Sequence, residues 1–264
     1  MKPYVFKSGS HRHEITVNDT TKAEITLEAN SKGTLILFVK GDGQLDIVLN
    51  AKEHTDWTYL WVNQSDGSLT VKEAVNLFEG SHVKANYAEL TMGNHSKETT
   101  AHFVGRHATF DFRSATISFD AIKWVVKADH QAQFTEANLN SYGIVLENGA
   151  LEFEVIGYIA NGNNGSKTHQ ITRVLNLGDK LKTVVYPKLL IEENDVEASH
   201  AASVGQPDED QIYYMQSRGI KRPDALKLIV LGYLIPIAYE VEDDDIREYL
   251  IQEIEQKVDQ EWTI

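Results

Sequence analysis

The first two hundred residues alternate short apolar segments with turn signals, a pattern that leaves little room for helices. Segments such as "TLILFV", "WTYLWVN", "ATFDF" and "LEFEVIGYIA" are rich in Val, Ile, Leu, Thr and aromatic residues. Many of them alternate apolar and polar positions with a period of two, as strands do. Between them stand "NSKG", "GDG", "SDG", "ENG" and "NGNNG", which are typical of turns. We therefore expect a mainly β fold, with "SLTVKEAVNLFEG" as the segment that is ambiguous between strand and helix.

So many short strands without intervening helices are compatible with three architectures, namely a sandwich, a barrel and a parallel β-helix. The number of strands is high for a single sandwich, and the recurring Gly and Asn turns suit a solenoid of stacked coils. No sequence repeat at a fixed period is apparent, however, and such a repeat is the usual signature of a solenoid. The strand pattern alone leaves the three architectures open.

The pattern becomes helical after about residue 207. The segment "PDEDQIYYMQSRG" begins with Pro207 and acidic residues, which favour a helix start, and ends at Gly219. Its apolar residues Ile212 and Met215 are three positions apart, which is the spacing of one helix face.

Two further helices are predicted downstream. In "RPDALKLIVLGYLIPIAYEV" one face is predicted to carry Ala225, Leu228, Ile229 and Gly232, and Pro236 should end or kink the helix. The third helix repeats apolar residues at steps of four, namely Ile246, Leu250, Ile254 and Val258. The sequence therefore predicts a long β body followed by a small helical region.

The charge and composition exclude several classes of protein. The net charge is −14, whereas a nucleic-acid or membrane surface needs clustered Lys and Arg, so we expect neither partner. No apolar run approaches the roughly 20 residues of a membrane span, and no signal sequence begins the chain, so we expect a cytoplasmic protein. The chain has no cysteine, so it offers no thiolate for catalysis or metal binding.

Local motifs point to no enzyme. The segment "SHRHE" places His11 and His13 two residues apart, so a strand would present both imidazoles on one face. That pair could contribute to a metal site, but the interpretation as a polar strand edge is favoured because no third ligand is fixed by spacing. We expect no catalytic residue in this chain.

The segment "PKLLIEENDVEASHAASVGQPDEDQIYYMQSRGI" resembles the C-terminal signature of the SufB/SufD family of iron–sulfur cluster assembly proteins and is closest to its SufD branch. The resemblance is strongest over residues 166–235. Two departures are Ala201, where the family has Gly, and Asn194, where it has the first acid of an Asp-Asp-Val triplet. The matching residues are Pro187, Leu189, Ile191, Asp195, Val196, Ser199, His200, Val204, Gly205, Asp208, Tyr213, Tyr214, Ser217, Arg218, Gly219 and Ile220.

The resemblance implies a fold and a division of the chain. It implies a right-handed parallel β-helix, a single-stranded solenoid, over residues 1–200 and a small C-terminal α-helical domain over residues 201–264. It also implies a short form of the family, without the N-terminal helical region.

The resemblance further implies partners and site residues. A SufC-type ABC ATPase would dock on the C-terminal helices through Tyr213, Tyr214 and Arg218, and a SufB-type protein or a second copy would pair with the β-helix. His200 matches a family histidine at that β-helix interface and is the metal-ligand candidate. Asp195, Glu197 or Asp208 could orient its ring.

These inferences predict a non-catalytic scaffold subunit of a SufBCD-type complex that assembles iron–sulfur clusters and transfers them to acceptor proteins. No cofactor would bind stably to this chain alone, although a transient cluster could be shared with a partner. Two alternatives stay open at this point: a homodimeric SufD-like relative that does not pair with SufB, and a carbohydrate-binding or carbohydrate-processing β-helix protein.

Overall fold

The computed structural model describes residues 2–65, 67–178, 182–240 and 244–262. Over these residues the chain forms fourteen strands and then helices. All the strand pairs are parallel, and together they build a solenoid of about seven turns. The strands are β1 (Lys2–Phe6), β2 (Gly9–Leu27), β3 (Lys32–Ala51), β4 (Asp56–Asn63), β5 (Leu69–Leu77), β6 (His82–Glu89), β7 (His95–Phe103), β8 (Thr109–Ser118), β9 (Ala121–His130), β10 (Glu136–Val145), β11 (Ala150–Ile159), β12 (Lys167–Asn176), β13 (Lys182–Ile191) and β14 (Glu197–Gly205).

The strands form two stacks that face each other. Stack I contains the first halves of β2 and β3, followed by β4, β6, β8, β10, β12 and β14. Stack II contains β1, the second halves of β2 and β3, and then β5, β7, β9, β11 and β13. Successive strands therefore alternate between the stacks, which is the arrangement of a parallel β-helix and excludes the sandwich and barrel alternatives. The ambiguous segment around Leu69–Leu77 is strand β5.

The turns of the solenoid become longer along the chain. At the N-terminal end Gly9 is in register with Gly33 of the next turn. Near the other end Ala150 is in register with Lys182, and these two residues are further apart in the sequence than the first pair. This drift explains why the sequence shows no repeat at a fixed period, although every turn has the same two-strand plan.

The "GDG" segment is not a turn between strands, contrary to the prediction from the sequence. β3 runs through it and bends from stack I into stack II while it stays paired with β2. Gly41 has a φ of 91°, and a Cβ there would lie 2.3 Å from the carbonyl oxygen of Val17. Glycine is required because the corner needs a positive φ and a close backbone approach at the same residue.

Two apolar cores hold the molecule together. The first lies between the stacks and contains the inward residues of the strands, including Trp57, Phe112 and Phe153. The second lies between the outer face of stack I, where Leu60 and Ile117 are buried, and the C-terminal helices. Because these helices pack on stack I, they lie beside the solenoid and do not cover its C-terminal end.

Three α-helices and one 3-10 helix follow β14. They are α1 (Glu209–Ser217), α2 (Arg222–Leu234), the 3-10 helix Ile235–Glu240, and α3 (Asp244–Trp262). All three predicted helices are confirmed, and α2 ends just before Pro236, as expected for a residue that has no backbone N–H. The predicted boundary between residues 200 and 201 falls inside β14, and the division into two domains stays a prediction.

The predicted apolar face of α2 is partly wrong. Ala225 is buried as expected, but Leu228 is 51% exposed and Gly232 is exposed. In addition to Ala225, α2 buries Val230, Leu231 and Leu234. The reason is that α2 is apolar on nearly all sides, so that its sequence does not single out the face that packs on stack I. On α3 the predicted residues Leu250, Ile254 and Val258 are buried.

None of the helices in the described part of the chain combines the length and the hydropathy that a membrane span requires.

Candidate functional site

The C-terminal end of the solenoid is an uncovered strand edge. β13 and β14 are the last strands of their stacks, and no described strand pairs with their outer edges. All nine residues of β14 are exposed. The Glu197 N–H donates to the carbonyl of Ser166 on the β12 side, and the N–H groups of a parallel strand alternate in direction. The N–H groups of Ala198, His200, Ala202 and Val204 therefore face away from β12 and are available to another strand.

His200 lies on the inward side of this last strand. Its register partner on β12 is Gln170, which is buried between the stacks, and the same inward column continues through Leu139 to Phe112. His200 itself is exposed because no described strand lies over it at this end of the solenoid. The imidazole is therefore placed on the end surface of the solenoid, within reach of a molecule that packs on that end.

The three acidic residues considered as partners for His200 are engaged elsewhere or make no contact with its ring. The Glu197 carboxylate pairs with Lys167 Nζ at 2.7 Å, on the opposite face of β14. The Asp208 carboxylate accepts a hydrogen bond from the backbone N–H of Asp210 at the start of α1. Within the described residues, neither these groups nor Asp195 forms a hydrogen bond or ion pair with His200. The role of His200 as a metal ligand stays a prediction.

A ligand set for a metal is not assembled by this chain on its own. Among the described residues, no group of three or more His, Asp or Glu side chains is placed to hold a metal ion. His11 and His13 do share one face of β2, as predicted, but they pack among aromatic rings: His11 stacks on Trp57 at 5.9 Å and His13 lies 4.0 Å from Tyr4. These two histidines belong to the N-terminal end of the core.

The predicted docking residues lie together on α1 and at its C-cap, Arg218. Tyr213 and Tyr214 are 74% and 59% exposed, which is unusual for side chains of this size. The Arg218 guanidinium donates a hydrogen bond to the Tyr214 hydroxyl at 3.1 Å and also lies over its ring. The helix buries Ile212 instead, so that the two tyrosines are not needed for its own packing.

Beside these residues an apolar groove of about 510 Å³ runs between α1 and α2. Tyr214 and Met215 form its α1 wall, and Leu228 and Ile229 form its α2 wall. Exposed apolar side chains that line a groove are typical of a surface that binds another protein. Whether Tyr213, Tyr214 and Arg218 bind a partner stays a prediction.

The interior of the solenoid holds a charged cluster that the sequence patterns did not reveal. Lys97 on β7 is buried, and its Nζ lies 3.3 Å from Glu89 Oε1. The same ammonium lies 3.5 Å from the ring centroid of Trp61 and 4.2 Å from that of Tyr87. A second buried carboxylate, Glu73, accepts hydrogen bonds from the hydroxyls of Tyr59 and Thr99, both at 3.0 Å. The sequence held one signal for this cluster: a charged residue at a position where the alternation of the strand predicts an inward, apolar one. These residues are Glu73 in "VKEAV" and Lys97 in "HSKETTA".

Burial shifts the titration of this interior cluster. Removal of Lys97 from water lowers its pKa, although the Glu89 and Glu73 carboxylates oppose this effect. Burial also raises the pKa of Tyr59 and of Tyr87, and the charge of Glu73 adds to both effects. His95 connects the cluster to the segment between β4 and β5. One of its ring nitrogens contacts the Asn63 side chain and the other contacts the carbonyl of Gly67. The cluster places paired charges between the two stacks.

Fold and site together define the class of protein: a parallel β-solenoid with an uncovered strand edge at one end and a C-terminal group of helices on its flank. The sequence model for the family described as "SUF system FeS cluster assembly, SufBD core domain" matches residues 8–233. The chain therefore belongs to the SufBD core family of iron–sulfur cluster assembly proteins.

Curated relatives resemble parts of the chain. The chain is 36% identical over 129 residues to the iron–sulfur cluster assembly protein SufD of Bacillus subtilis, and 30% identical over 132 residues to SufD of Escherichia coli. Each alignment covers 49% of this chain, and they cover 30% and 31% of those relatives. A SufBD family protein of Mycobacterium leprae is 24% identical over 196 residues, which are 74% of this chain and 20% of that protein. The chain thus spans about a third or less of the length of these relatives.

Proposed function

We propose that this chain is a SufD-like scaffold subunit of a SufBCD-type complex that assembles iron–sulfur clusters and passes them to acceptor proteins. The observation that carries the proposal is the uncovered end of a SufBD core solenoid, where His200 lies on a strand that is paired with β12 on one side and has a free outer edge. Family membership favours this function over a carbohydrate-processing β-helix. The chain itself has no turnover in this proposal, and ATP hydrolysis belongs to a SufC-type partner.

The uncovered end would bind a second β-solenoid, either a SufB-type protein or another copy of this chain. Strand edges with free N–H and C=O groups bind other strands by β-augmentation. On β13 the exposed side chains of Val184, Tyr186 and Leu190 add apolar area near the same edge. Association there would bury both the backbone edge and these side chains.

His200 would supply one nitrogen ligand to a cluster held transiently between the two chains. Imidazole is a competent ligand for iron–sulfur centres, usually together with thiolates. Because this chain has no cysteine, the thiolates would come from the partner. The cluster is cargo in this proposal, and it leaves with the acceptor protein.

Anaerobic reconstitution with iron and sulfide tests the role of His200. We expect the His200→Ala complex to hold less cluster than the wild-type complex, as measured by iron content and by the visible absorption of the cluster. His169→Ala is the matched control, because His169 lies on the neighbouring strand and bonds to Ser199 on the outer face. Equal occupancy in the His200 variant and the wild type would remove His200 from the site.

The helices α1 and α2 would form the docking surface for the ATPase. The groove between them and the exposed pair of Tyr214 and Arg218 provide the apolar and polar contacts that protein interfaces combine. We expect Tyr214→Ala and Arg218→Ala to weaken the capture of a SufC-type ATPase in a pull-down at least tenfold. Arg106→Ala changes an exposed arginine on a turn of the body and serves as control. Retention of full binding by both α1 variants would contradict this assignment.

Co-expression identifies the β-solenoid partner. The chain would be produced with a SufB-type and a SufC-type protein and analysed by size-exclusion chromatography with light scattering. A complex that contains all three proteins supports the scaffold function. A homodimer that excludes the SufB-type protein would overturn the SufBCD assignment in favour of the homodimeric alternative.

A further inference from the structure

A row of hydroxyl groups lies on the inward face of stack I. Tyr87, Ser114, Ser141 and Thr172 stand on four successive strands of this stack and are in register with one another. Each of them is at most 1% exposed. The row continues to Ala202 on β14, which is exposed at the C-terminal end. The hydroxyls therefore connect the middle of the solenoid with its uncovered end.

None of the four hydroxyl oxygens in this row has a hydrogen-bond partner of ordinary length and angle among the described residues. Buried hydroxyls are almost always hydrogen-bonded, and one that is left without a partner destabilises the fold. Packing does not require the hydroxyls of Ser114 and Ser141, because alanine would fill nearly the same volume. Their repetition at matching positions of neighbouring strands therefore indicates partners that lie along the row.

Water has the size and the bonding capacity that the row requires. Side chains in register on neighbouring strands are about 4.8 Å apart. A water molecule about 2.8 Å from each of two hydroxyl oxygens can bridge a distance of up to about 5.6 Å. One water can thus bond to Ser114 and Ser141, and a second one can bond to Ser141 and Thr172. Buried waters typically bond to two to four polar groups, which fits this arrangement.

The inner end of the row lies beside the buried charged cluster. The Lys97 ammonium is enclosed by the rings of Trp61, Tyr87 and Trp124, at 3.5, 4.2 and 4.8 Å from their centroids, so these rings separate it from the row. The Tyr87 hydroxyl is under the influence of the Glu73 carboxylate: burial raises the pKa of Tyr87, and the charge of Glu73 raises it further. The row therefore ends at a hydroxyl that lies near a buried carboxylate.

We propose that the row binds a file of water molecules that conducts protons between the C-terminal end of the solenoid and its inner end beside Glu73. Each hydroxyl can donate one hydrogen bond and accept another, so hydroxyls and waters can alternate along the file. Each oxygen passes its own proton to the next one and receives a proton from the one before, so no net charge stays in the row. The path belongs to the chain alone and is independent of the proposed role in cluster assembly.

Proton exchange at Trp61 reports whether the path is open. Trp61 is in register with Tyr87 at the inner end of the row, and its buried indole N–H has no partner in the described part of the chain. The chain has four tryptophans, so their indole signals in a nitrogen–proton NMR spectrum can be assigned by substitution. The Trp124 indole donates to Thr99 Oγ1 at 3.3 Å and serves as the internal reference for opening of the fold.

Two substitutions of Ser141 separate the hydroxyl from the volume of the side chain. Valine and threonine have nearly the same shape, but only threonine keeps a hydroxyl. We expect hydrogen–deuterium exchange of the Trp61 indole to be at least about tenfold slower in Ser141→Val than in Ser141→Thr, while Trp124 exchanges equally in both. Equal rates for Trp61 in the two variants would show that protons reach it only through opening of the fold, and would overturn the path.

The thermal midpoints of the same two variants test the water file itself. A dry row leaves the hydroxyl of Ser141→Thr without a partner, so Ser141→Val would then have the higher midpoint. A hydrated row supplies the partner, and we expect Ser141→Thr to be at least as stable as Ser141→Val. A high-resolution crystal structure of the wild-type chain decides the case in which the variants fail to fold. We expect ordered water between Ser114 and Ser141, and a row without water in that structure would overturn the proposal.

Discussion

At the scale of single residues, the interior of the solenoid depends on a small number of buried charges. Lys97 and Glu89 lie between the stacks, where either charge alone would be strongly unfavourable. Their contact, together with the aromatic rings around Lys97, offsets the loss of water. The alternation of apolar residues on β5 and β7 correctly predicts which positions face inward. It does not predict how the charges of Glu73 and Lys97 are compensated at two of these positions, because their partners Tyr59 and Glu89 are on β4 and β6.

Loss of Lys97 should therefore destabilise the fold. We expect Lys97→Met to lower the free energy of unfolding by about 3–5 kcal/mol, because the Glu89 carboxylate is left buried without its cation. Urea unfolding followed by circular dichroism measures the change, and Lys72→Met, on the exposed face of β5, is the control. Addition of Glu89→Gln to Lys97→Met should recover part of the loss. A change below about 1 kcal/mol in the single variant would show that water reaches the pair.

The His82 and Asp111 pair should make stability depend on pH. The hydrogen bond to Asp111 raises the pKa of His82, in spite of partial burial. Partial burial alone would raise the pKa of Asp111, but hydrogen bonds from His82 and Asn138 lower it. The contribution of His82 to the free energy of unfolding is complete below pH 6.5, the ordinary pKa of histidine. It is lost as the pH rises through the raised pKa of His82. The contribution of Asp111 to the free energy of unfolding is complete above pH 3.8, the ordinary pKa of aspartate. It is lost as the pH falls through the lowered pKa of Asp111.

Unfolding free energies measured from pH 3 to pH 9 would show this contribution. It should be greatest between about pH 4 and pH 6.5 and amount to about 0.5–1 kcal/mol, since both groups are partly exposed. In Asp111→Asn the decrease above pH 6.5 should become smaller. An identical pH profile for the variant and the wild type would mean that the pair contributes nothing to stability.

At the scale of elements, the joint between β14 and α1 is set by local signals. Asp208 is the N-cap of α1, and its carboxylate accepts the hydrogen bond of the Asp210 N–H. Gly219, with a φ of 88°, follows the end of the helix. These are short-range signals, and the start and the end of α1 could be predicted from "PDEDQIYYMQSRG". The face of α2 could not, because it depends on where stack I lies.

Removal of the cap should loosen α1. We expect Asp208→Ala to cost about 1 kcal/mol, seen as faster hydrogen exchange of the first-turn amides of α1. Asp224→Ala is the comparison, because Asp224 lies in the first turn of α2 but is not its N-cap. That variant should lose only the smaller helix-dipole contribution of about 0.3–0.5 kcal/mol. Equal exchange rates in Asp208→Ala and wild type would show that packing alone holds the helix.

At the scale of the whole molecule, the two ends of the solenoid are built differently. At the N-terminal end, aromatic rings and histidines of β1 and β2 pack against the first core residues. At the C-terminal end, within the described residues, β14 has no strand or helix over its inward face. This difference makes the C-terminal end the better candidate for an association surface.

Proline substitutions on β14 test whether this edge pairs with another chain. The N–H of Ala202 faces away from β12, so Ala202→Pro removes a donor from the free edge and leaves the bonds to β12 in place. We expect the variant to keep its thermal midpoint and to lose association with the β-solenoid partner in size-exclusion chromatography. Ala201→Pro is the contrast, since its N–H faces β12 and its loss should lower the thermal midpoint. Full association of Ala202→Pro would exclude strand pairing along β14.

Local periodicity, capping residues and composition were sufficient to establish the strand-rich body, the three C-terminal helices and the absence of thiolates. The family resemblance came instead from the motif residues between Pro187 and Ile220. These sequence features did not establish the two-stack arrangement, the lengthening of the turns along the solenoid or the pairing of Lys97 with Glu89, which only the folded chain shows. Each of these depends on the register between strands far apart in the chain. The hydrophobic pattern and the turns set this register together, so the partner of a given side chain is known only after strands distant in the sequence have been paired.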